Sequence, residues 1–313
     1  MPIKIPDDLP ARAVLEQEHV PLILEKRALR QDIRPLQIAI LNLMPNKMVT
    51  ETQLLRALGL SPLQIEITLL HAATHQSKNT SQEHLTAFYQ TFDDVKHRNF
   101  DALIVTGAPV GHLDYKEVAY WPELTEIFDW ARSHVYSTLF ICWGALAGLY
   151  HYQGIEKQRL PQKRSGIYHH RVLRPFSPLT AGFDDLFDVP VSRHTEIRAE
   201  DILKHPELDI LVSSAESGVF IVHDALARRV YILNHLEYDA ETIQKEYERD
   251  VSAGLNPQIP HNYFPGDNPA ATPQITWRAH RTLLFSNWIN SVYQGTPYDL
   301  AQIGEPAAAL KAA

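Results

Sequence analysis

The sequence predicts an α/β fold: a mostly parallel sheet with helices on both faces, preceded by an N-terminal arm and followed by a C-terminal helical extension. Three observations predict it. Short apolar runs recur at residues 36–42, 102–106 and 138–141, the composition expected of strands buried on both faces. Helix-forming stretches stand between them, and that alternation is the signature of a parallel sheet covered on both sides. The third run ends on Cys142, the one cysteine in 313 residues, with small residues and leucines behind it. A nucleophile at such a strand-to-helix turn is held clear of the sheet, beside helical amides that lower a thiol pKa and stabilise an oxyanion.

The elements follow in order. Residues 1–34 read as an arm. Asp7 and Asp8 precede Pro10, which places a short helix there with acids at its positive end, and residues 20–24 read as extended. A single domain then spans 35–300. Its first strand, 36–42, leads through a loop at 43–47 to a helix over 50–58 that buries Leu54, Leu55 and Leu58 and stops at Gly59. Residues 63–69 alternate strictly and read as an outer strand with one wet face. A polar loop, 71–80, precedes a helix at 81–89. After the strand at 102–106 comes Gly107-Ala-Pro-Val-Gly111, and Pro122 opens a helix reaching His134 with Leu124, Ile127, Phe128 and Ala131 on one face. Beyond the Cys142 turn, 154–190 reads as proline-rich loop carrying Lys157, Arg159, Lys163 and Arg164. Three short strands are predicted at 208–212, 219–222 and 230–233. A helix at 241–251, an irregular proline-rich stretch at 256–273 and a long helix at 275–293 complete the domain. Residues 301–313 read as a flexible tail.

Composition narrows the function. A hydrophobic content of 45% supplies a sizeable core, and a net charge of −8 argues against nucleic acid as a partner, because phosphate binding needs a basic surface. One cysteine excludes an intrachain disulfide and fits a reducing compartment. Residues 1–19 lack the apolar core of a signal peptide, and no run approaches the roughly 18 apolar residues of a membrane span. The expectation is a soluble, cytoplasmic protein.

Parallel sheets bind ligands at the carboxyl ends of their strands. The Gly107–Gly111 loop and the Cys142 turn therefore converge on one crevice. A lone cysteine is more often a small core residue, and Gly107-Ala-Pro alone reads as an ordinary turn. His235 and Glu237, just past the strand at 230–233, change that weighting. In extended chain, i and i+2 point to the same side, so the carboxylate can fix the tautomer of the imidazole. Cys142 at an elbow, followed by His235 and Glu237 at a strand end, resembles the Cys…His…Glu order of class I glutamine amidotransferase-like (flavodoxin-like) folds.

Longer blocks carry a closer resemblance. They are NLMP at 42–45, TGAP at 106–109, VAYWP at 118–122, STLFICW at 137–143, His-x-Glu-Tyr-Asp at 235–239, RDVxAGL at 249–255 and NYFP at 262–265. Together they resemble the homoserine O-succinyltransferase family, which also contains homoserine O-acetyltransferases, from Met1 to about Leu300. The resemblance implies ping-pong acyl transfer from succinyl-CoA to L-homoserine, in methionine biosynthesis, with no metal or resident cofactor and a homodimeric assembly. Cys142 would carry the acyl group as a thioester, His235 would act as base and Glu237 would orient it. Lys163, Ser192 and Arg249 would bind the substrate. Gly111 would set the donor: family members with glycine here use succinyl-CoA, and those with glutamate acetyl-CoA. The alternatives are an acetyl-CoA-dependent member, a cysteine hydrolase or glutaminase of the same fold, and a non-catalytic binding protein. Two departures from the family pattern stand out: Leu236 where proline is usual, and a glycine-rich segment at 144–148. The bulky Ile141 and Trp143 around the cysteine also differ from the Gly-x-Cys-x-Gly elbow of true amidotransferases.

Overall fold

The computed structural model describes residues 3–6, 8–17, 22–24, 34–74 and 80–304. The expectations for most of 18–33, for 75–79 and for the tail from 305 onward fall outside the described residues. The arm supplies β1 (Ile3–Ile5), α1 (Ala11–Gln17) and β2 (Leu22–Leu24). Then come β3 (Leu36–Leu41), α2 (Lys47–Leu58), β4 (Ile65–Leu70), α3 (Gln82–Phe88), β5 (Tyr89–Gln90), α4 (Phe92–Val95), β6 (Phe100–Val105), α5 (Trp121–His134), β7 (Val135–Ile141) and α6 (Trp143–Gln153). The second half holds β8 (Gln158–Val172), β9 (Leu186–Glu196), α7 (Ala199–Ile202), β10 (Leu208–Ser214), β11 (Gly218–Asp224), β12 (Arg229–Ile232), α8 (Thr242–Ser252) and α9 (Arg278–Gly295).

Among the described residues these form one 12-stranded sheet, in the order β2-β1-β4-β3-β6-β7-β12-β11-β10-β8-β9, with β5 beside β4. Pairing is parallel from β2 to β12 and antiparallel beyond it. Successive strand residues face opposite sides, and the core divides accordingly. Ile38, Ile40, Ile104 and Leu139 pack with Leu54 and Leu58 of α2 and with Leu284 and Trp288 of α9. Ala39, Leu41, Leu103 and Phe140 pack with Ile127 and Phe128 of α5 and with Ala147 and Leu149 of α6. The sheet is thus covered by helices on both faces, as predicted. The C-terminal helix α9 is one of the covers, and its Trp288 Nε1 donates to Ser137 Oγ on β7 (3.1 Å). No helix among the described residues is long and apolar enough to cross a membrane.

The structure corrects three expectations. The stretch 154–190, read as loop, contains the 15-residue strand β8 and the start of its partner β9. These two make an antiparallel ribbon, with Arg164 opposite Arg193 and Ser165 opposite Ser192, and with a register break between Arg159 and Arg164. The first part of β8 is polar and largely wet, so it lacks the apolar alternation that announces a strand, and cross-strand pairing supplies the order instead. The segment 63–69, read as an outer strand, is not at an edge, because arm strand β1 pairs along β4. The helix expected from residue 50 begins at Lys47, where the Asn46 side chain caps the amide of Val49 (3.5 Å).

Strands β3, β6, β7 and β12 are neighbours and all parallel. Their carboxyl ends therefore lie on one side of the sheet. The segments that leave them, 43–45, 107–111, the Cys142 turn and 234–238, meet there.

Candidate active site

Cys142 ends β7 and caps α6 with φ 51° and ψ −115°. A non-glycine residue in this region stores about 1–3 kcal/mol, which the surroundings must overcome. They do so through the ladder: the Cys142 amide donates to the Ile232 carbonyl (2.7 Å), and its carbonyl accepts from the Leu146 amide (3.1 Å). Two glycines make the turn possible. A Cβ on Gly144 would lie 2.6 Å from the Thr106 carbonyl oxygen and 2.8 Å from that of Val105. A Cβ on Gly107 would lie 3.2 Å from Cys142 Cβ. The loop after β6 therefore passes directly over the Cys142 side chain. The second glycine of α6 has a packing reason of its own, since a Cβ on Gly148 would stand 3.0 Å from the Tyr231 ring and 3.1 Å from that of Phe140.

His235 follows β12, and its amide donates to the Pro190 carbonyl (3.0 Å). Its Nδ1 meets Glu237 Oε1 at 2.6 Å, and both side chains are buried. Leu236, the departure from the family pattern, points into the core at 1% exposure, so the i and i+2 side chains still share a side. With Nδ1 engaged by the carboxylate, Nε2 is the nitrogen left for Cys142, which lines the same cavity. Burial alone would pull the imidazole pKa down. The negative charge of a Cys142 thiolate, then that of Glu237, outweighs it and holds His235 well above 6.5. The Tyr238 ring stacks on the imidazole at 4.0 Å between centroids, 16° from parallel.

A cavity of about 380 Å³ opens over these groups. Of the seven residues singled out in the sequence, Gly111, Cys142, Lys163, Ser192, His235 and Arg249 line it, and Glu237 stands behind His235. Lys163 comes from β8, Ser192 from β9 and Arg249 from α8. A larger cleft of about 830 Å³ lies between α1, the start of α2 and Arg278. It holds none of these seven residues, whereas the thiol, the imidazole and the charged groups gather in the smaller one.

Sequence reasoning missed Glu246 and Asp250, which organise the polar end of the cavity around Lys163, Ser192 and Arg249. Glu246 Oε2 accepts from Lys163 Nζ (3.1 Å) and from the Ser192 hydroxyl, and its Oε1 accepts from the Tyr238 hydroxyl (3.0 Å). Lys163 Nζ also reaches Asp250 Oδ2 (3.0 Å). Asp250 Oδ1 in turn takes Nε (2.9 Å) and one Nη (2.6 Å) of Arg249. Burial would raise both carboxyl pKa values. For Glu246 the Lys163 charge and the Ser192 bond reverse that, and for Asp250 the Arg249 and Lys163 bonds do, so both sit below their ordinary range. The signal was present: positions 246 and 250 are one turn apart on the helix that carries Arg249. Arg193, next to Ser192, was missed as well. It is buried at 7% exposure, donates to Asn234 Oδ1 (3.1 Å) and to the Ser217 carbonyl, and leaves Nε without a hydrogen-bond partner among the described residues. Burial and then Arg164 lower its pKa to about 10, against the raising influence of Glu196 and Cys142.

A thiol, an imidazole bonded to a carboxylate and a polar pocket of both charge signs are the groups that acyl transfer between a thioester and a small polar acceptor requires. Comparison with known proteins agrees. The family model described as homoserine O-succinyltransferase matches residues 2–298. A protein named homoserine O-acetyltransferase from Rhizobium leguminosarum bv. trifolii (strain WSM2304) is 54% identical over 304 residues, covering 97% of this chain and 99% of that one. A protein of the same name from Acetivibrio thermocellus is 56% identical over 304 residues, covering 97% and 100%. Among solved structures, a GMP synthase protein from Thermoplasma acidophilum matches with TM-score 0.52 at 16% identity, covering 84% of this chain and 96% of that one. A glutamine amidotransferase from Thermotoga maritima matches with TM-score 0.50 at 9% identity, covering 84% and 98%. At such identities the likeness is one of fold: the class I glutamine amidotransferase-like architecture.

Proposed function

The chain belongs to the homoserine O-succinyltransferase family, whose activity is homoserine O-acylation, and we propose that its donor is succinyl-CoA and that the acyl group passes through a thioester on Cys142. In the first half-reaction His235 takes the thiol proton and the sulfur attacks the acyl-CoA carbonyl. The amide of Trp143, first residue of α6, and the backbone at 107–108 are the donors beside the oxyanion. The C–S bond to CoA breaks, and the proton on His235 leaves with the CoA thiol. In the second half-reaction His235 deprotonates the homoserine hydroxyl, which attacks the acyl-enzyme. The thiolate of Cys142 departs, and O-succinyl-L-homoserine forms. Glu237 keeps the imidazole in the tautomer that this needs. Arg249 pairs with the substrate carboxylate, and Lys163 and Ser192 complete its polar surroundings.

The observation that carries the mechanism is the left-handed Cys142 at the start of a helix, in one cavity with an imidazole bonded to a carboxylate at 2.6 Å. For the donor it is Gly111. A Cβ there would meet only Thr195 Oγ1, at 3.4 Å, so the space beside the cavity wall is open, and glycine itself brings no charge to it. A succinyl carboxylate needs such room and must not meet a like charge in a partly desolvated site. The names of the relatives above, all at half identity or more, favour acetyl-CoA as a second reading. Measuring kcat/KM for both donors decides between them. Succinyl-CoA is the better donor under this proposal, and Gly111→Glu reverses the preference; a wild type that prefers acetyl-CoA overturns the donor while leaving the thioester standing. CoA release that depends on homoserine excludes a hydrolase. The setting we propose is cytoplasmic methionine biosynthesis by a homodimer, and sedimentation velocity checks the assembly.

A further inference from the structure

A base acts only while its imidazole is held in place, yet the segment that carries His235 is not stiff by its own composition. Residues 236 and 237 form a turn between the imidazole and its carboxylate. Proline is favoured at the first central position of such a turn, because its ring fixes φ, and this chain has Leu236 there. We propose that Asn234 is a positioning residue for His235: it ties the start of the turn to Arg193 and His170, and so supplies the stiffness that the turn lacks. The proposal rests on the acyltransferase reading above and adds a residue behind its base.

Three observations carry it. First, Asn234 is fully buried and its side chain is held at both ends: Oδ1 accepts from Arg193 Nη1 (3.1 Å), and Nδ2 lies 3.0 Å from His170 Nε2. Second, the chemistry of the partners permits one orientation. Arginine can only donate, so the amide oxygen must face Arg193 and the amide nitrogen must face His170. His170 Nε2 is then an acceptor, for Asn234 and for the Ser217 hydroxyl (3.1 Å), while Nδ1 carries the proton and donates it to the Tyr168 carbonyl (2.9 Å). Burial keeps that imidazole neutral, with its pKa pushed down to about 4. Third, the anchors belong to the sheet and not to the turn. His170 lies on β8, Arg193 on β9 and Ser217 just ahead of β11, and Arg193 also donates to the Ser217 carbonyl, which closes the ring of contacts. Moving Asn234 would leave buried polar groups unpartnered, which a low dielectric penalises. His235 is the next residue along, and its own amide is held by the Pro190 carbonyl (3.0 Å). The Leu236 amide donates no backbone hydrogen bond among the described residues, so proline at that position breaks none.

The test follows acyl-enzyme formation from succinyl-CoA in a single turnover by intact mass, beside the homoserine KM in steady state. Asn234→Ala slows acyl-enzyme formation by roughly ten- to a hundredfold at undiminished final amplitude, as a base displaced by about 1 Å must, and leaves the homoserine KM within about threefold. Leu236→Pro by itself changes the rate by less than about threefold, and added to Asn234→Ala it recovers at least about fivefold of the lost rate, because it stiffens the same turn by another route. Asn234→Asp keeps the Arg193 bond but sets an oxygen against His170 Nε2, so it falls between the two. It takes the place of the alanine variant, with the same proline added, if the alanine variant does not fold. A residue that only held the fold together would lower the melting temperature and the amplitude without slowing the molecules that do acylate, and proline at 236 would restore nothing. An unchanged rate in both Asn234 variants, or a double variant no faster than its parent, overturns the proposal. A wild type that forms no acyl-enzyme overturns the thioester reading instead, and kcat in the same variants still judges Asn234.

Discussion

Gly144 is where packing and catalysis meet most closely, and Gly144→Ala tests both. The added Cβ would sit 2.6 Å from the Thr106 carbonyl oxygen, against 3.4 Å for ordinary contact, so α6 or the end of β6 must move by about 0.8 Å. The obstructing atoms are backbone and cannot rotate away. Overpacking of this kind costs about 1–3 kcal/mol. At roughly 2.1 cal/mol/K per residue over 313 residues, the melting temperature falls by about 2–5 °C. The larger effect is kinetic. Cys142 lies two residues away at the head of the same helix, and a displacement near 1 Å costs about a hundredfold in a positioned reaction. Acyl-enzyme formation in a single turnover should therefore slow by roughly ten- to a hundredfold, while Gly111→Ala, whose Cβ meets only Thr195 Oγ1 at 3.4 Å, leaves melting nearly unchanged. A Gly144→Ala protein that melts with wild type and acylates at the wild-type rate would refute the reasoning.

Three other outcomes follow from the site. Cys142→Ala removes the acyl adduct seen by intact mass and lowers turnover by several orders of magnitude; activity within about tenfold of wild type would sink the covalent route. His235 is held above 6.5, so its charged form contributes stability that is complete below pH 6.5 and is lost as the pH rises through the raised value. Glu237→Gln removes one of the two charges that raise it, so in urea midpoints measured against pH that loss begins at lower pH; superimposable profiles contradict the assignment. Arg249→Ala raises the homoserine KM roughly ten- to a hundredfold and spares acyl-enzyme formation, and an unchanged KM removes Arg249 from the substrate site.

What the sequence determined by itself was the part of the molecule governed by burial. Strands β3, β6 and β7 were legible because a strand buried on both faces must be apolar throughout, and the helices because one face must be. The Cys142 elbow was legible only together with His235 and Glu237, since a lone cysteine after an apolar run is more often a core residue. The resemblance then named the residues, including Lys163, Ser192 and Arg249, which no local pattern marks. Tertiary structure alone decided what those side chains face. Lys163 meets Glu246 and Asp250 across 83 and 87 residues of chain, and nothing in the polar strand that carries it foretold either partner. The same holds for the β8–β9 ribbon, which is strand because each half supplies the other's hydrogen bonds, and for the arm, whose β1 takes its place only beside β4. Apolar burial is written locally as periodicity, since water is the common alternative for every such side chain. A polar group has many alternatives, and which one it takes is settled only when distant segments are brought together.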